Sequence, residues 1–194
     1  ILDGNLTVQN TARFNTNGLD ISIAGNWTNS STDANPFVEG TRTVTFNGTS
    51  DQTISAVLAA GETFYNLVVN KPSGDLLLAT SPSTDMSIAN AGTMTFTSGV
   101  VTTTSTESLT FNSTSLVAGG TSTSYVDGPV RKFGSAAFTF PTGDGSIWAR
   151  IGTGANTGNA TTLFTAQYFA TANSDLTVNA TLLRVSDMEY WSLS

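Results

Sequence analysis

The sequence predicts an all-β protein: a right-handed parallel β-helix (β-solenoid) over residues 1–128, followed by a β-sandwich-like module over 129–194. Three observations carry this. Roughly three residues in ten are Ser or Thr, and Asn and Gly are frequent, a mixture that favours short strands and tight turns. Similar short phrases recur from Ile1 to about Val126, as in a repeat architecture. After Pro129 the text changes to longer alternating runs.

Taken in order, the phrases are "LTVQNTARFNTNG", "LDISIAGNWTN", "TVTFNGTSDQTI", "FYNLVVNKPSG", "LLLATSPST", "MTFTSGVVTTT" and "LTFNSTSLVAGG". Val44-Thr45-Phe46, Met94-Thr95-Phe96 and Leu109-Thr110-Phe111 are apolar–polar–apolar triplets, the period of a strand with one buried face. Asn-Gly, Ser-Gly and Gly-Gly stand between the phrases, where the chain must turn. Strand centres recur every 8 to 13 residues or so, a cadence shared by a β-sandwich and a parallel β-helix. Internal similarity, very short strands and the near absence of charge from them favour coils stacked on one another. About five or six coils fit, at a rise near 4.8 Å, giving a rod of roughly 25 Å.

Past Pro129, Leu163, Thr165, Gln167 and Phe169 alternate with Phe164, Ala166 and Tyr168, as in a sandwich strand. "NATLLRVSDMEYWSLS" continues in the same manner. Pro129 lacks a backbone donor and reads as a joint that ends one ladder and re-aims the chain. The beginning, "ILDGNLTV", and the end, "EYWSLS", read as cuts in mid-pattern. The chain is therefore expected to be a segment of something longer, its second module truncated.

Composition narrows function. A formal net charge of -7, with only Lys71, Lys132 and five Arg as cations, argues against nucleic acid. No apolar run is long enough to span a bilayer. Cysteine and histidine are absent, which removes disulfides, thiolate metal sites, imidazole acid–base chemistry and Ser-His-Asp or Cys-His nucleophiles.

The order "GNWTN", "TVTFNGTSDQTI", "FYNLVVNKPSG", "SYVDGPVRKFG" and "FTFPTGDG" resembles a series in very large secreted surface proteins of the Bacteroidota. Those proteins are similar to adhesins and filament proteins exported by type IX secretion. The resemblance covers most of the chain. It implies β-solenoid repeats joined to β-sandwich modules in an extracellular stalk, adhesin or fibre, and it carries over no catalytic residue.

Candidate functional residues are few. Asp127 and Asp144, with nearby carbonyls, could hold Ca²⁺, but "DG" and "GDG" are first of all turn sequences, so no cofactor is expected. Arg131 and Lys132 could grip an anionic partner, or pair with local carboxylates or stay solvated. Asp51, Asp75, Asp85 and Glu107 could supply the two carboxylates of a glycosidase, yet they lie scattered between repeats and no enzyme is expected. Trp27, Tyr65, Trp148 and Trp191 could stack on sugar rings, with packing in the core as the competing role. Trp27 and Trp148 are the residues singled out for glycan contact.

The expectation is thus a structural segment of a giant extracellular surface protein. It would act as a rigid stalk or self-associating filament in cell adhesion, with copies of itself as partners and no insertion into a membrane. A carbohydrate-binding adhesive module is the alternative.

Overall fold

The computed structural model describes residues 1–177 and 186–194, and among them no helix forms. The chain winds into a parallel β-solenoid of about six turns. Each turn lays down short strands on three faces. The first face stacks Leu6–Asn10, Trp27–Ser31, Gln52–Ala56, Leu76–Leu78, Val101–Thr102, Val126–Asp127 and Thr142–Asp144, all parallel. On the second face, Phe14–Asn15 pairs with Phe37–Val38, and Glu62–Asn70 and Met86–Ser98 begin there before bending onto the third. The third stacks Ile21–Ile23, Thr43–Phe46, the later parts of those two long strands, and Leu116–Gly119.

Ladder partners in successive coils lie between about 21 and 28 residues apart, except at the last step on the first face, where Val126 and Thr142 are only 16 apart. The loops absorb this variation, which is why no exact repeat length is visible in the sequence. The three x-Thr-Phe triplets are strands as expected, each with the Thr outward and its flanking apolar residues buried.

Period-two alternation sends every second side chain inward, where neighbouring coils bury it. Trp27, Phe46, Ile54, Phe64, Leu67, Leu76, Met86, Ile88, Met94, Val101, Leu109 and Phe111 form one continuous apolar column with no exposure above 1%. Its lower coils are aromatic: Trp27 meets Phe37 edge-on at 4.7 Å and Phe64 at 5.3 Å, and Phe14 stacks on Phe37 at 6.0 Å. Such pairs add about 0.5–1.5 kcal/mol each beyond the buried area.

The corner between the third and first faces is tight. A Cβ on Gly48 would lie 2.3 Å from the Ala24 carbonyl oxygen in the coil beside it. Gly74, at φ +69°, takes a conformation that L side chains rarely adopt.

The sandwich-like module expected over 129–194 is not confirmed. Val130–Phe133 pairs in parallel with Leu109–Phe111, so the ladder passes through Pro129 rather than ending there. Only beyond it does direction reverse. Leu163–Phe169 lies antiparallel on Val130–Phe133, and Tyr190–Leu193 lies antiparallel on Leu163–Phe169. The alternation read as a sandwich strand has a simpler use: Ala166 and Tyr168 are buried, Phe164 packs on the core, and Leu163 stays exposed. One face packed on the end of a solenoid satisfies that pattern without a second sheet. All of "NATLLRV" (residues 179–185) falls outside the described residues.

Candidate functional site

The residues with chemistry divide into those the coils consume and those left at the surface. Trp27, singled out for glycan contact, is fully buried and donates its indole N–H to Glu62 Oε2 at 2.8 Å. No ligand reaches it. Asn29 Nδ2 donates to the same oxygen at 2.9 Å. Burial raises the Glu62 carboxyl above the ordinary 4.5, and nearby Glu39 adds to the rise, partly offset by the two donors.

Glu62 and Glu39 line one small groove of about 150 Å³, together with Asn35 and Thr63. This pair comes nearest to an acid–base couple. Yet Glu62 is only 3% exposed, with its carboxylate held by Trp27 and Asn29 beneath the aromatic rings. Its geometry serves packing. Glu62 escaped notice in the sequence, although its place two residues before the buried Phe64 puts both on the inward face.

Of the carboxylates named from the sequence, Asp51 and Asp75 are neighbours: burial, and then the Asp51 charge, raise the Asp75 carboxyl above its ordinary value, partly offset by Lys71. Asp51 Oδ1 accepts the Asp75 backbone N–H at 2.9 Å, and Asp85 Oδ1 accepts both the N–H and the hydroxyl of Ser108 at 2.7 Å. Glu107 accepts from Ser83 Oγ and Thr106 Oγ1, each at 2.7 Å, and from Thr104 Oγ1. Asn5 and Asn26 do as Asp51 does, each accepting a backbone N–H of the next coil at 2.8 Å. These side chains staple coil to coil. Asp127 Oδ2 accepts from Gly145 N at 3.0 Å, and Asp144 Oδ2 from Ala170 N at 2.9 Å. Among the described residues no three acidic side chains converge as a metal site would require.

Both lysines are buried. Lys71 Nζ donates to the carbonyls of Gly48 at 3.2 Å and Ser50 at 2.8 Å, and to Gln52 Oε1 at 3.1 Å. Lys132 Nζ donates to the Ser113 carbonyl at 2.9 Å and to that of Asn112. Burial pulls both ammonium groups below the ordinary lysine value. Arg131 donates to Ser108 Oγ at 2.9 Å. The Arg131–Lys132 pair is thus spent on loop carbonyls and a hydroxyl rather than on the carboxylates or solvent expected for it. A lysine capping carbonyls across a coil corner leaves no trace in a single sequence.

What remains at the surface lies where the solenoid meets its antiparallel end. Val117, Gly119, Thr139, Pro141, Trp148 and Arg150 line a groove of about 160 Å³. Trp148, the second residue singled out, is half-buried, and the Arg150 guanidinium sits 5.2 Å over its ring. Trp191 is 39% exposed, its N–H donated to the Ala149 carbonyl at 3.2 Å. Arg150 was missed from the sequence. Its spacing of two from Trp148 in "IWARIG" was the available signal.

No protein-family model, curated protein or solved structure matches the chain.

Proposed function

We propose that this chain is a structural segment of a large extracellular surface protein, a rigid stalk or self-associating filament that supports cell adhesion. One observation carries the reading: about six coils stack in a parallel ladder around an unbroken apolar column, while most buried polar side chains among the described residues are spent joining coil to coil. In such an array each coil contacts only its neighbours, so stability grows roughly additively with coil number. Hydroxyl and amide side chains cover the outside of a chain that is 11% charged, which suits an exposed shaft. The resemblance in motif order to bacterial surface adhesins and filament proteins supports the same reading.

Electron microscopy of the full-length protein tests it. Elongated particles whose length scales with the number of coils, and beads coated with the protein that bind cells, are expected. Compact particles, or coated beads indistinguishable from bare ones, would overturn it. A carbohydrate-binding reading is favoured separately by the Trp148–Arg150 groove.

A further inference from the structure

Three buried side-chain polar atoms among the described residues lack a hydrogen-bond partner, and two of them, Trp148 Nε1 and Ser124 Oγ, belong to residues flanking Gly120. The other two indoles are satisfied, Trp27 by Glu62 and Trp191 by the Ala149 carbonyl. An orphaned buried donor is costly to keep, so its presence beside a groove needs a reason. Arg150 is exposed and forms no ion pair, the one described salt bridge being Arg13–Asp33. Guanidinium and indole thus stand together as unspent donors, with the Thr139 hydroxyl on the same groove and Val117 and Pro141 as an apolar wall.

Donors without acceptors call for an acceptor-rich ligand. A planar guanidinium fork matches a carboxylate. The groove has room for one ring and no more, and its apolar wall suits the C–H face of a sugar. We propose that this groove binds a carboxylated sugar unit, its carboxylate on Arg150 and a ring or hydroxyl oxygen accepting the Trp148 indole N–H. That N–H is buried beside Gly120, so binding requires the indole or its neighbours to shift as the ligand enters. The site stands apart from the scaffold reading, since a stalk with or without it would be equally rod-like.

The three indole N–H resonances make the test specific. Uniformly ¹⁵N-labelled protein is titrated with glucuronate, glucose, acetate and N-acetyl-aspartate amide, with Trp148→Phe assigning the resonance. Glucuronate should shift the Trp148 indole signal with a Kd on the order of 1 mM, leaving those of Trp27 and Trp191 in place. Arg150→Gln should weaken this at least about tenfold with its remaining spectrum unchanged. Glucose and acetate should bind at least about tenfold more weakly than glucuronate. The proposal is overturned if the Trp148 signal does not move, if Arg150→Gln responds like wild type, or if acetate matches glucuronate. An equal response to the aspartate amide would place an acidic peptide in the groove and sink the sugar assignment.

Discussion

Glu62 receives the indole N–H of Trp27 at 2.8 Å across 35 residues of sequence, and both side chains are buried. A single carboxylate oxygen therefore ties adjoining coils together at the centre of the aromatic stack. Glu62→Ala would orphan two donors and open a cavity, at a cost of about 2–5 kcal/mol. Urea denaturation of the variant checks this.

The same carboxyl gives a pH signature. Its folded-state pKa lies above the ordinary 4.5, so the folded form holds the proton more tightly than the unfolded form. The resulting stabilisation is full below the unfolded value and is lost as pH rises through the folded value. Glu62→Gln keeps an acceptor for Trp27 and cannot titrate. The stability of wild type relative to this variant should therefore fall as pH is raised from below 4.5 towards neutrality. A difference independent of pH would refute the assignment.

Lys71 caps two carbonyls and the Gln52 amide oxygen at a coil corner. Lys71→Met preserves the aliphatic stem but leaves those acceptors unpaired, and should cost about 1–3 kcal/mol. Thermal denaturation should show the loss.

Gly48→Ala places a methyl 2.3 Å from the Ala24 carbonyl oxygen, and Gly74→Ala combines φ +69° with a contact at 2.5 Å to Ser50. Each should lose more than about 2 kcal/mol. Gly154→Ala, with nothing within 4 Å, should stay within about 0.5 kcal/mol of wild type. Equal effects at all three would mean the corner is not tight.

Asp85 serves as an inter-coil acceptor for Ser108. Asp85→Asn retains an acceptor oxygen and should cost less than about 1 kcal/mol, whereas Asp85→Ala should cost about 1–3 kcal/mol. Comparing their denaturation midpoints separates a hydrogen-bonding role from one that needs charge.

The strands were legible because alternation is local: Val44-Thr45-Phe46 announces an inward–outward–inward run whatever surrounds it. The stacked arrangement was legible from the scarcity of charge in those strands. The end of the ladder was not, because Leu163–Phe169 alternates in the same way whether it faces a second sheet or caps a coil. Of the candidate site residues, Trp148 stands in a groove and Trp27 in the core, and alternation reads the same for both. What distinguishes them is position along the stack. The buried roles of Lys71, Glu62 and Lys132 depend on loop carbonyls and indoles from other coils, a relationship between distant segments that one sequence does not display.

The ladder bonds of a solenoid run along its axis, so an end-to-end pull acts directly on the contacts between one coil and the next. Rupture then proceeds in instalments, each freeing some two dozen residues, or roughly 80 Å of slack at about 3.4 Å per residue. A chain wound in this way would yield to a sudden pull coil by coil instead of all at once.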